Sequence, residues 1–139
     1  MAGLFPDAEE EWVAKKQVNY DGSGTNLVMH LFSNNYTPVD GSTLGSFTEC
    51  TFLGYAAQTL IGASWTFAAD APTCASHSTV TFSSTADQAL SYIYGFYLTR
   101  GSTGSLVYAE RATDAPYAIV GATDYATFQP NLYYKKAGE

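Results

Sequence analysis

From Asn26 to Tyr134 the chain never runs far before a turn residue cuts it. NLVMHLF (26–32) stops at Ser-Asn-Asn, and SWTFA (64–68), YAIV (117–120) and LYY (132–134) are shorter still. A helix needs its 3.6-residue period sustained for at least about 10 residues, so pieces of this length fit only the two-residue period of a strand. STVTFSS (78–84) alternates Val80 and Phe82 with Ser and Thr, as a half-buried strand does. GYAAQTLI (54–61) and SWTFA read as strands joined by a tight turn at Gly62–Ala63. SYIYGFYLT (91–99) is aromatic, β-branched and uncharged, the strongest strand signal in the chain. RGSTGS (100–105) then connects it to LVYAERA (106–112), which predicts a hairpin. Asp114–Ala115–Pro116 turns the chain into YAIV and YATFQ (125–129), and LYY ends it on an edge. Thr43 to Cys50 is ambiguous, with one helical turn as an option since Leu44 and Phe47 stand three apart, and DAPTCAS (70–76) reads as loop. The sum is about eight short strands at roughly ten-residue spacing, which predicts an all-β fold, an antiparallel β-sandwich or jelly roll.

One stretch breaks the pattern. PDAEEEWVAKKQ (6–17) places Asp7 at an N-cap position with Glu10 three residues on, acids first and Lys15–Lys16 last. Glu11 and Lys15 are spaced as an i,i+4 pair. The apolar content is thin, Trp12 and Val13 with Leu4 and Phe5 just before, so a helix this short needs something to dock on. VNYDGSGTN (18–26) follows as a flexible joint rich in Gly, Ser, Asn and Asp. The expected organisation is an arm with a short helix over residues 1–25 and a β-sandwich domain over residues 26–139, with Trp12 seated on its own sandwich or on a neighbouring subunit.

Composition narrows the partners. Charged residues are 14% of the 139, against roughly 25% in ordinary soluble domains, and aromatic residues are 15%. Low charge with many tyrosines suits sheet surfaces and surfaces that other subunits cover. The net charge is −7 with only six Lys and Arg, which argues against a phosphate backbone or an anionic membrane as partner. No run of about 20 apolar residues is present to span a bilayer. MAGLFPDAEEEW lacks the basic and apolar regions of a signal peptide, so synthesis and folding in the cytoplasm are expected, with Cys50 and Cys74 as free thiols.

The residues that carry chemistry are few. His30, Cys50, Cys74 and His77 include a Cys-x-x-His spacing at 74–77, but His30 and Cys50 supply no second close pair, so no metal or other cofactor is expected. Asp40, Glu49, Asp70, Asp87, Glu110, Asp114 and Asp124 mostly stand beside Gly, Ala or Pro, as turn acids do. Glu110 and Arg111 are adjacent in a strand and face opposite ways. No Gly-x-Ser-x-Gly elbow, phosphate loop or calcium loop occurs. Catalytic residues are therefore not expected. The tyrosine-rich strand offers Tyr92, Tyr94 and Phe96 to one face and Ile93, Gly95 and Tyr97 to the other, for core and subunit contact or, as an alternative, a sugar.

LFSNNYTP (31–38), TLGSFTECTFLGYA (43–56) and YIYGFYLTRGSTGSLVYAER (92–111), in that order, resemble a group of small proteins encoded in tailed-bacteriophage genomes. Those proteins share a Leu-Phe-x-Asn-Asn-x-Thr-Pro start, a Thr-Glu…Phe-x-Gly-Tyr segment, and a Gly-aromatic strand followed by a Leu-x-x-Ala-Glu-Arg-like strand. The resemblance spans residues 26–130, is looser over 62–90 and does not include 1–25. It implies a structural virion protein of the capsid-decoration (cement) kind, made in the host cytoplasm and carried on the capsid surface. It implies the major capsid protein and copies of the chain itself, as a homotrimer, as partners, and no catalytic residue. On that reading residues 1–25 reach to a neighbour, with Trp12 as anchor and Leu4, Phe5 and Val13 beside it. The alternatives are a tail, neck or baseplate component or receptor-binding knob, and a carbohydrate-binding module.

Overall fold

The computed structural model describes residues 7–68 and 73–134. Among these the regular structure is one helix, α1 (Asp7–Gln17), and eleven strands. The chain is mostly antiparallel β, as its punctuation predicts, and the contacts divide it into two compact units.

The larger unit spans Val28–Thr59 and Val80–Phe128. Its main sheet has the order β2 (Gln58–Leu60), β1 (Leu27–Phe32), β7 (Gly95–Arg100), β8 (Leu106–Arg111). Two ribbons complete it: β10 (Tyr125–Phe128) pairs β5 (Val80–Ser83), and β6 (Ser91–Ile93) pairs β9 (Tyr117–Ile119), both antiparallel. The layers meet through rings. Phe96 of β7 lies 5.7 Å from Phe128 of β10, which lies 5.7 Å from Tyr117 of β9. Leu31, Phe82, Ile93, Leu98 and Ile119 fill the interior, each worth about 1.5–3 kcal/mol of burial. This is a β-sandwich. β7, its central strand, is buried from Gly95 through Thr99, because a strand covered on both faces must be apolar at odd and even positions alike.

On the outer side of β7, Tyr97 joins Phe32 and Phe47 in a second cluster, flanked by Tyr36, Tyr94, Leu106 and Ala109. A bulge puts both β8 residues there. The register runs Leu98↔Tyr108 and then Thr99↔Leu106, so Leu106 and Ala109, three apart, share one face.

The hairpin predicted between residues 91–99 and 106–112 is present as β7–β8, but its first arm is two strands rather than one. At Tyr94 the chain changes partners. Its N–H donates to the Phe32 carbonyl and its own carbonyl accepts from Ala112, while β6 before it pairs only with β9. Gly95 makes the change possible. A Cβ there would stand 2.1 Å from the Glu110 carbonyl oxygen and 2.8 Å from the Phe32 ring. With the break, Tyr94 packs with Tyr97 rather than sharing a face with Phe96.

The smaller unit gathers the described residues of Met1–Leu27, Leu60–Thr79 and Gln129–Glu139. Its sheet has the order β11 (Asn131–Tyr134), β4 (Thr73–His77), β3 (Trp65–Ala68), all antiparallel, with α1 packed on β4. The stretch read as loop at 70–76 thus contains the central strand of a sheet. TCASH has little intrinsic strand preference, and its two flanking partners override that. The expected turn between 54–61 and 64–68 is a 3₁₀ turn, Gly62–Ser64, and it joins strands of different sheets. The 43–50 turn is the 3₁₀ segment Leu44–Ser46.

The segment after α1 is tied down. Asn19 adopts left-handed φ of 61°, a conformation Asn tolerates at a helix C-terminus. Its Oδ1 accepts from the Gly24 N–H at 2.7 Å, and its amide donates to Asn26 Oδ1, which also accepts from the Gly62 N–H. Asp21 accepts from the Ser23 hydroxyl, the Ser23 N–H and Lys16, and these hold its carboxyl well below the usual range.

Candidate functional site

The three segments that carry the resemblance meet in the larger unit. Asn34 joins the two sides of its loop, donating to the Ser46 carbonyl at 2.9 Å and accepting from the Thr48 N–H at 2.8 Å. Arg111, from β8, donates to Asn35 Oδ1 at 2.7 Å and to the Tyr36 carbonyl, with its guanidinium 5.2 Å from the Tyr94 ring centre. Glu110 next to it is exposed and accepts only a long bond from Tyr108, so the two neighbours do face apart.

The densest polar constellation centres on His30. Its Nδ1 meets Glu49 Oε2 at 2.7 Å and its Nε2 meets Thr99 Oγ1 at 2.9 Å. Tyr55 donates to the same Glu49 oxygen at 2.6 Å and accepts from the Leu31 N–H at 3.1 Å. The Tyr97 ring stacks on the imidazole, centroids 4.8 Å apart. Burial alone would raise the Glu49 carboxyl, but hydrogen bonds from Tyr55 and His30 outweigh it and hold the group below the usual carboxylate range. Burial, and then the bond to Glu49, raises Tyr55 strongly. Burial and the Glu49 charge push the Tyr97 hydroxyl and the Cys50 thiol each up to about 12.

Glu49, His30 and Thr99 stand in the order carboxylate, imidazole, hydroxyl, the order of a nucleophilic relay. Thr99, the hydroxyl of that order, is only 6% exposed and lines neither of the two hollows described below. A reacting carbonyl must approach the hydroxyl to about 3 Å beside oxyanion donors. What the network does is brace: it ties β1, β7 and the 48–55 segment through side chains whose polar atoms are satisfied.

The other chemistry-bearing residues are dispersed. His77 Nδ1 bonds the Ser78 carbonyl at 2.8 Å and its ring meets Trp65 edge-on; Cys74 Sγ lies 3.5 Å from Ser76 Oγ. Both cysteines are unpaired, and among the described residues no three His, Cys, Asp or Glu side chains gather around a common point. The turn acids close turns: Asp124 accepts from the Val120 and Gly121 N–H groups, Asp87 from the Ala122 N–H, and Asp114 from the Tyr117 hydroxyl.

The surface offers three other features. The outer face of the β6–β9 ribbon is apolar. Register places Tyr92 opposite Ala118, and Leu90 and Val120 stand just beyond the ends of the two strands; the four are exposed, Leu90 51%, Tyr92 41% and Val120 46%. Ile93 and Ile119 fill the inner face, so the ribbon is apolar on both sides. Second, Tyr117, Tyr125, Ala126 and Thr127 line a shallow hollow of about 190 Å³, with Tyr125 66% exposed. Third, a hollow of about 350 Å³ lies between Pro38–Ser42 and β8.

Of the interaction residues named from sequence, Leu4 and Phe5 lie outside the described residues. Trp12 is 57% exposed and Val13 is exposed beside it, while Ala14 and Val18 carry the buried side of the helix region. The ribbon face is hidden at the level of sequence because residues 91–99 have the pattern of one unbroken strand. No family model, no curated protein and no solved structure matches this chain.

Proposed function

We propose that this chain is a structural protein of a tailed-phage virion, a capsid-decoration protein that holds the lattice by protein–protein contacts and carries out no catalysis. The observation that carries the reading is the apolar outer face of the β6–β9 ribbon, exposed on a chain of which only 14% is charged. An apolar face left open on a folded chain is a surface where another macromolecule can dock. The resemblance of residues 31–38, 43–56 and 92–111 supports the phage setting, with the major capsid protein and a homotrimer of the chain itself as partners on the capsid surface. The braced His30–Glu49 network fits the same role, because a cement protein works by staying rigid under load. Many modest contacts on a repeating lattice then add up through effective concentration.

The test is binding of the purified chain to capsids of the encoding phage prepared without it. Saturable binding that Tyr92→Asp weakens supports the reading. Binding to tails or host cells instead moves the chain to the tail, baseplate or receptor-binding class. A second reading, a carbohydrate-binding module, is favoured by the Tyr117–Tyr125 hollow, where an exposed ring stands beside the Thr127 hydroxyl. Polysaccharide retention lost in Tyr125→Ala, with no capsid binding, selects that one.

A further inference from the structure

We propose that Asp40–Gly41 is a site of spontaneous isomerisation to isoaspartate, and that the fold protects Asp21–Gly22 from the same reaction. The chain contains Asp-Gly-Ser twice, at 21–23 and at 40–42, and no other Asp-Gly or Asn-Gly pair. The same tripeptide has the same local reactivity, so a difference between the two sites comes from structure. The inference does not depend on the capsid reading.

The reaction needs only water. The glycine nitrogen loses its proton to solvent and attacks the side-chain carboxyl carbon of the aspartate. An N–C bond forms, a C–O bond breaks, and the carboxyl hydroxyl takes a proton and leaves as water. The product is a five-membered succinimide. Water then opens the ring at one of its two carbonyls. Opening at the side-chain carbonyl restores aspartate. Opening at the main-chain carbonyl leaves the backbone running through the side chain, one methylene longer. Nothing is oxidised or reduced, and the mass returns to its starting value. Glycine favours the attack because no Cβ shields its nitrogen.

At Asp21 both reacting groups are occupied. The carboxylate accepts from the Ser23 N–H at 3.1 Å, the Ser23 hydroxyl at 2.7 Å and Lys16 Nζ at 2.9 Å. The Gly22 N–H donates to the Asn19 carbonyl at 3.0 Å. The same bonds hold the carboxyl well below its usual range, which depletes the protonated form that releases water. At Asp40 the serine bonds elsewhere. The Ser42 N–H donates to the Val39 carbonyl at 2.9 Å, and the Ser42 hydroxyl accepts from the Val39 N–H at 2.9 Å and meets the Tyr36 hydroxyl at 2.6 Å. Asp40 and Gly41 are therefore the two central residues of a turn, both exposed. Among the described residues, nothing bonds the Asp40 carboxylate or the Gly41 N–H. The longer backbone would rebuild the 38–42 wall of the hollow beside β8.

The experiment ages the folded chain at neutral pH, takes samples over weeks, then denatures and digests them with a protease that cuts before aspartate but not before isoaspartate. Labelling by protein isoaspartyl methyltransferase identifies the product. The expected result is loss of cleavage before Asp40 at least about tenfold faster than before Asp21, where charge-assisted bonds must break first. In guanidinium chloride the two rates converge. Gly41→Ala stays folded, since its Cβ meets nothing within 4 Å, and it removes the loss at Asp40. Folded protein in which Asp40 remains fully cleavable, while the unfolded chain loses that cleavage, overturns the proposal. Equal loss at both sites of the folded chain overturns it too, and so does a gap between the sites that persists in guanidinium chloride.

Discussion

Gly95→Ala is the sharpest single perturbation of this fold, because the cost comes from space alone. The added Cβ would stand 2.1 Å from the Glu110 carbonyl oxygen and 2.9 Å from the Arg111 Cα. Ordinary contact begins at 3.4 Å, so the strands must part by 3.4 − 2.1, or 1.3 Å. Neighbouring strands are only about 4.8 Å apart, and a shift of that size breaks the ladder at the Gly95↔Arg111 pair. Two backbone groups then lose partners in a buried place, at about 1–1.5 kcal/mol each, and the overpacking adds about 1–3 kcal/mol. The total is about 3–6 kcal/mol, on the order of 10–20 °C of melting temperature for a chain of this length. Gly104→Ala is the control. Gly104 has φ of +70° and nothing within 4 Å, so alanine there meets only the left-handed backbone penalty of about 1–2 kcal/mol. Thermal melts of the three proteins measure both. If Gly95→Ala melts within about 2 °C of wild type, or loses less than Gly104→Ala, the close β7–β8 approach is not what holds the break at Tyr94.

Glu49→Gln should flatten the acid limb of the stability curve. The native carboxyl sits below its unfolded value of 4.5, so its contribution is complete above that pH and drains away as pH falls through the native value; urea midpoints of the two proteins should differ most near neutrality and converge toward pH 3, and a constant gap would remove Glu49 from the account. Cys50 should resist alkylation in the native protein, since it is 1% exposed and a thiol at about 12 leaves about one part in ten thousand as thiolate at pH 8. Mass spectrometry after iodoacetamide should find Cys74 labelled first, and equal labelling would refute the buried placement. Trp65→Phe should cost under about 2 kcal/mol in a denaturant titration, against about 3–5 kcal/mol for Trp65→Ala. The indole N–H is buried and unpartnered among the described residues, and phenylalanine removes it while keeping most of the packing.

How far each part of this structure could be read in advance follows the range of the forces behind it. The β7–β8 hairpin was legible because aromatic strand residues and a Gly-rich connection of a few residues act locally. α1 was legible for the same reason: acids first, lysines last, no glycine inside. β4 was not, because TCASH is a strand only through partners on both sides, one of them over fifty residues away. The His30 network was out of reach for a related reason: its bonds span 19, 6 and 69 positions, and only the sheet order brings them together. One signal did point to it. A histidine inside an apolar strand must find partners for two ring nitrogens.

The ribbon face shows how one conformational fact can hide a surface. If residues 91–99 form one strand, Tyr92, Tyr94 and Phe96 share a face, and a core on that side accounts for all three. The break at Tyr94 separates Phe96, which lies against Phe128, from Tyr94, which joins the Phe32–Phe47–Tyr97 cluster, while Tyr92 is 41% exposed with its ring edge-on to Tyr94 at 6.2 Å. The energy favours this. As one continuous strand the segment would keep β6 on the main sheet and leave β9 without a partner, exposing Ile93 and Ile119. Turning the chain at Gly95 buries both, worth about 3–6 kcal/mol together, and leaves Leu90, Tyr92 and Val120 as the residue. Tyr92 faces outward because its strand neighbour Ile93 faces inward, and Leu90 and Val120, just beyond the strand ends, are exposed. An apolar outer face is thus built into any sequence that makes this ribbon from LSYI and YAIV. Serine or threonine at positions 90, 92 and 120 would give an equally good inner face, so the fold itself does not require apolar side chains there.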